Sequence, residues 1–135
     1  MTTPEQARDE MLAVFKAAWD PTGYTAIWSD IPGTVPASEA PWARVTVRHQ
    51  DGRQGSLSNQ AGVTRHTYTG TLFVQLFVPV GQGLTLGYTL ARLVVQAYRT
   101  ARGAVWYRRQ QFREAGNSGA FEQINVTVEF TYDDA

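Results

Sequence analysis

The chain has 135 residues, 43% hydrophobic and 18% charged, and its 12 basic groups balance 12 acidic ones. That length suits one domain burying roughly two-thirds of its unfolded surface, and the composition excludes a disordered chain. The absence of cysteine excludes disulfide staples, thiolate metal sites and a cysteine nucleophile.

Met1 to Glu10 is polar and acidic where a signal peptide would be basic and then apolar. No run approaches the ~18 apolar residues of a membrane span, so a soluble protein made without export is expected. Thr3-Pro4-Glu5-Gln6 predicts a helix start, with a capping threonine, proline in the first turn and an early acid that complements the helix dipole. Ala7, Met11, Val14, Phe15 and Ala18 recur at three- and four-residue spacing, which predicts one buried stripe on a helix reaching about Trp19. Asp20-Pro21-Thr22-Gly23 ends it.

A short strand over Tyr24 to Ser29 precedes the Pro- and Gly-rich stretch Asp30 to Pro41, which is read as an irregular crossing segment. From Trp42, alternation places Ala43, Val45 and Val47 on one face of a strand and Arg44, Thr46 and Arg48 on the other. Gln50 to Val63 is expected to form a long, mobile hairpin tip. The returning strand, Thr64 to Pro79, sets Arg65, Thr67, Thr69, Thr71 and Gln75 against Tyr68, Leu72, Val74, Leu76 and Val78. Phe73 and Phe77 fall on its polar face, so something is expected to cover that end.

After Gly81-Gln82-Gly83 a second helix is predicted. Its wet stripe is Thr85, Thr89, Arg92, Gln96 and Arg99, its apolar face Leu84, Tyr88, Ala91, Val94, Val95 and Tyr98, and its C-terminal cap Gly103. Val105 to Glu114 is read as a strand, Ala115 to Gly119 as a turn, and Phe121 to Tyr132 as a last strand. That strand alternates Ile124, Val126, Val128, Phe130 and Tyr132 with polar residues, which implies one buried face. The class expected is α+β, a mixed, mainly antiparallel sheet with two helices on one face, in one domain over residues 1–135.

Catalytic patterns are scarce. A simple hairpin centred on Leu57 and Ser58 would place His49 opposite His66, near Asp51, yet two imidazoles and one loop carboxylate are a thin ligand set. The Gly81 to Gly87 glycines miss the dinucleotide spacing, and no Gly-Lys-Ser/Thr follows. No Gly-x-Ser-x-Gly elbow or His-Glu-x-x-His pair occurs. Glu114 and Glu122 bracket a glycine turn and read as a solvated hairpin end rather than an acid pair. No catalytic residue, cofactor or metal is therefore expected. Trp106 to Arg113 mixes aromatic and cationic residues as single-strand binders do, but it reads better as a strand with aromatics packed inward and arginines facing a protein partner.

Charge is unevenly spread. Residues 1–43 carry two basic and six acidic groups, residues 44–113 ten arginines against Asp51, and residues 114–135 five acids alone. Two outcomes stay open, ordinary pairs within the monomer or two faces of opposite sign that steer assembly.

The order of elements resembles the tail terminator proteins of long-tailed bacteriophages, the lambda-like minor tail protein family. The resemblance spans nearly the whole chain. It rests on the N-terminal helix, the strand Trp42 to Val47, the strand Thr69-Gly70-Thr71-Leu72-Phe73-Val74-Gln75-Leu76-Phe77-Val78-Pro79, the following helix and the closing Phe121 to Tyr132 strand. It implies a virion subunit without catalysis that forms a hexameric ring on the tail tube, stops tube growth and offers the head-joining surface. The partners implied are further copies of the chain, the tail-tube protein and head–tail connector proteins, with no membrane and no sequence-specific nucleic acid. The location implied is the head-proximal end of the tail, assembled in the bacterial cytoplasm. Arg48, Arg53, Arg65, Phe73, Phe77, Arg108, Arg109 and Arg113 are the candidate interface residues. A head-side connector of similar fold is the nearest alternative, and a small α/β enzyme or ligand-binding domain a distant one.

Overall fold

The computed structural model describes residues 2–28, 40–55, 64–81 and 84–134. Helix α1, Pro4–Trp19, begins with a reciprocal capping box. The Thr3 hydroxyl accepts from the Gln6 amide at 3.2 Å, and the Gln6 side chain accepts from the Thr3 amide at 3.0 Å. Its buried stripe is Ala7, Met11, Phe15 and Trp19, four residues apart throughout. A 3-10 turn at Asp20–Thr22 closes on Gly23, whose φ of 76° suits a residue without a side chain.

The strands are β1 (Thr25–Trp28), β2 (Trp42–Gln54), β3 (His66–Pro79), β4 (Trp106–Ser118) and β5 (Phe121–Asp134), with α2 over Thr85–Thr100. They form one five-stranded sheet in the order β1-β2-β3-β5-β4. β1 is parallel to β2 and every other pairing is antiparallel. The expected α+β architecture with a mainly antiparallel sheet is thus what the chain forms. β2–β3 and β4–β5 are hairpins, and α2 carries the chain from central β3 to the far edge, leaving β4 exposed as an edge strand.

Both helices cover one face. Ala43, Val45, Leu72, Val74, Leu76, Ile124, Val126 and Val128 of the sheet pack against Phe15, Trp19, Leu90, Ala91, Val94, Val95 and Tyr98. The Tyr98 hydroxyl donates to the Met11 carbonyl at 2.7 Å and ties α2 to α1. A smaller cluster of Ala7, Met11, Val105, Phe130 and Tyr132 extends this core beneath the start of α1.

Four local expectations need correction. β2 continues to Gln54 and β3 resumes at His66, so only residues 56–63 of the expected tip remain, and they lie outside the described residues with most of the crossing segment. The register that pairs Trp42 with Phe77 sets His49 opposite Gly70, and after a one-residue bulge between His49 and Asp51 His66 lies opposite Gln54, so the histidines do not face each other. Gly116, with φ 86°, sits in a second bulge, so β4 runs on to Ser118 and the reversal occurs at Gly119 and Ala120. Gly103 is no helix cap, because α2 ends in an extended Ala101. The Glu10 carboxylate instead accepts from the amides of Ala104 at 3.1 Å and Val105 at 2.8 Å, where a Cβ on Gly103 would stand 2.6 Å from its Oε1.

Candidate assembly surface

With both helices on one side, the alternation of the strands leaves a second sheet face that carries no helix among the described residues. Cross-strand register assembles it in rows. One row runs Arg48, Thr71, Glu129, Arg108; the next Thr46, Phe73, Thr127, Gln111; the third Arg44, Gln75, Asn125, Arg113. Arginines thus occupy both ends of two rows, about 14 Å apart from strand spacing, and Phe73 sits between them. Shallow depressions flank Phe73. One, of about 250 Å³, is lined by Thr46, Arg48, Gln75 and Asn125. The other, of about 450 Å³, is lined by Gln111, Phe112, Arg113, Asn125 and Thr127. Amides, hydroxyls and guanidinium groups here suit hydrogen bonding to a polar protein surface around one apolar contact.

The face has a covered end. Phe77 stacks on Trp42 at 4.0 Å between ring centroids, with Phe121 edge-on at 6.5 Å, and is only 6% exposed. The Arg44 guanidinium lies over both rings, 5.3 Å from Trp42 and 6.0 Å from Phe77. The cover expected for Phe77 therefore comes from the chain itself. Phe73, only half-buried, still faces the open rows.

Edge strand β4 borders this face. Arg108 and Arg109 reach one carboxylate oxygen of Glu129 through their Nε atoms, at 3.4 and 3.3 Å. The two side chains stay 69% and 74% exposed, so the contacts contribute little to stability. Arg109 has φ 53°, the one described non-glycine residue in the left-handed region, and it marks a bulge between Arg108 and Gln111. That extra residue turns Gln110 inward, where its amide donates to the Tyr98 carbonyl at 3.1 Å. It also shifts the alternation, so that Phe112 lies opposite Val126 on the helix side rather than beside Arg108.

The aromatics of this strand consequently do not all pack inward. Tyr107 joins the core, Phe112 is 44% exposed beside Tyr88, and Trp106 is 59% exposed. Tyr88, expected on the apolar face of α2, is itself 40% exposed and donates to Glu114 at 2.7 Å. That hydrogen bond holds the Glu114 carboxyl below its ordinary range and raises the Tyr88 hydroxyl above its own. Glu114 thereby has a phenol partner, not Glu122.

Of the eight candidate residues, Arg48, Phe73, Arg108 and Arg113 share the open face, with Arg109 at its bulged rim. Arg53 and Arg65 lie apart, on the far extension of the β2–β3 hairpin: Arg53 opposes Thr67, and Arg65 donates to the Gly55 carbonyl at 2.7 Å. The sequence reading did not select Arg44, Trp106 or Glu129. Alternation alone marked Arg44 and Glu129 as outward, but nothing local placed them in rows with Arg113 and Arg108.

Beside that extension, on the helix side of the β2–β3 hairpin, His49 contacts the Tyr132 hydroxyl at 2.5 Å within a ring of Tyr68, Phe130 and Tyr132. Partial burial lowers the His49 pKa, and burial first, then Tyr68, pushes Tyr132 up to about 12. Among the described residues no group of three His, Asp or Glu side chains is placed to hold a metal ion.

No family model matches the chain, and no curated protein matches it in sequence. Among solved structures 28 chains match. One of them superposes with a TM-score of 0.62 over 92% of this chain and 94% of its own length, at 15% identity. At that identity the likeness establishes a shared fold.

Proposed function

We propose that the chain is a ring-forming subunit that caps the tail tube of a bacteriophage-like particle, ends tube polymerisation and presents the surface to which the head is joined. The observation that carries this reading is the helix-free sheet face of arginines, amides and Phe73, bordered by a long, bulged edge strand with Trp106 59% exposed. Such a face suits docking to a protein, because its depressions are shallow and its polar groups are spread in rows rather than converging on one point. The edge strand supports repeated assembly: its bulges blunt indiscriminate strand pairing, while its arginines select an acidic neighbour. The order of elements and the Gly70 to Pro79 strand, which resemble the tail terminator family, supply the virion setting.

The test is mass measurement by light scattering, with and without phage tail-tube subunits, joined to electron microscopy of the tubes. A ring on one tube end, with tube length limited, is the expected result. A strict monomer that never joins tube ends would overturn the proposal. Rings that bind portal assemblies and ignore tubes would instead identify a head-side connector.

A further inference from the structure

A second surface lies on the helix side of the edge strand, in the angle between α2 and β4. One depression of about 500 Å³ is lined by Tyr88, Arg92, Val95, Arg99, Gln110 and Phe112, among others. A second, of about 400 Å³, continues past Arg99 to Arg102 and Trp106. Together they form a trough with a cationic helix wall and exposed rings towards either end. Among the described residues no acid pairs with Arg92 or Arg99, and the ion pairs at this edge are those of Arg108 and Arg109 with Glu129.

The matching charge lies elsewhere on the same chain. α1 and its C-cap present Glu5, Asp9 and Asp20 to solvent, with exposed Ala13 and Ala17 between them, and Lys16 is the one exposed cation of that helix. The three acids have no ion pair among the described residues. This stripe cannot turn into its own trough, because Ala7, Met11, Phe15 and Trp19 pin the opposite side of α1 to the core.

We infer that the trough between α2 and β4 of one copy receives the acidic α1 stripe of a second copy. Arg92 and Arg99 stand about 10 Å apart along α2, and Glu5 and Asp9 about 6 Å apart along α1, spacings that guanidinium arms bridge. The small Ala13 and Ala17 side chains let the incoming helix approach closely, over Tyr88 and Phe112. Trough and stripe are different patches, so the contact is heterologous and propagates around a ring. A single-stranded nucleic acid is the other polyanion of suitable reach, but the zero net charge of the chain and the carboxylate of Glu114 beside Tyr88 favour a protein helix.

The inference rests on the ring-subunit reading, for which it supplies the joint, and the cysteine-free chain allows the two to be tested apart. Singly substituted Asp9→Cys protein is mixed with Arg92→Cys or Arg99→Cys protein under mild oxidation, with Thr25→Cys at the opposite sheet edge as control. Disulfide-linked heterodimers are expected about tenfold faster from at least one trough pair than from the control, because docking raises the local thiol concentration, and salt should slow them. Equal rates would overturn the inference, and if wild-type protein still capped tubes the ring reading would survive with its joint elsewhere. Preferential cross-linking without tube capping would keep the joint and reject the ring reading. Oligothymidylate binding that is lost in Arg92→Glu/Arg99→Glu protein, with no cross-linking preference, would assign the trough to nucleic acid and overturn the inference.

Discussion

Replacing Arg109 by glycine sets two effects against each other and predicts opposite outcomes for stability and assembly. At φ 53° the arginine occupies a region that costs a side-chain-bearing residue about 1–2 kcal/mol. Glycine removes that cost, and loses about 0.5–1 kcal/mol through the greater freedom of its unfolded chain. The vanished contact to Glu129 is an exposed one, worth about 0.3 kcal/mol, and Arg108 still reaches the same carboxylate. The sum lies between about 0 and +1 kcal/mol of stabilisation, a rise of up to ~0.5 M in the urea midpoint at a slope near 2 kcal/mol per M. The assay is urea unfolding followed by circular dichroism, beside Arg108→Ala as a control without backbone relief. Tube capping should weaken in the same Arg109→Gly protein, because one cation has left the rim of the assembly surface. Destabilisation by more than about 1 kcal/mol would refute the backbone argument. Undiminished capping would refute the placement of the edge strand at the interface.

Two further outcomes follow from the β2–β3 hairpin. A Cβ on Gly70 would overlap the Arg48 carbonyl oxygen and stand 2.5 Å from Phe130 Cζ and 2.9 Å from His49 Cα. Gly70→Ala should therefore cost more than the ~1–3 kcal/mol of ordinary overpacking, because backbone on the neighbouring strand must move; a thermal midpoint within about 3 °C of wild type would contradict this. His49, whose pKa burial lowers, binds protons more readily in the unfolded chain than in the fold. Its contribution is accordingly intact above the ordinary value of 6.5 and is lost as pH falls from there through the lowered folded value. The urea midpoint should drop between pH 7.5 and 5.5 in wild type, and drop less in His49→Gln; parallel profiles would remove His49 from the account.

The elements themselves were legible because their signals are local. The Thr3 cap, the four-residue spacing from Ala7 to Phe15, the alternation from Leu72 to Val78 and from Ile124 to Tyr132 are each written within one segment, and the class of fold follows from them. Phe73 and Phe77 illustrate the limit of that reading. Alternation placed both on the polar face, yet Phe77 is closed by Trp42 and Phe121 from two other strands, whereas Phe73 remains half-open.

The sequence by itself determined which side chains share a face and where the chain carries cations and acids. Only the tertiary structure decided which faces meet. The order β1-β2-β3-β5-β4 turned the Arg-rich strand into an edge, and strand register drew Arg48 and Arg108, far apart in the chain, into one row. The β2–β3 register separated His49 from His66, and one bulge in β4 changed what simple alternation foretold, turning Phe112 to the helix side. The reason is that alternation is a property of one strand, while register depends on partners tens of residues away, and a single inserted residue inverts every side chain beyond it.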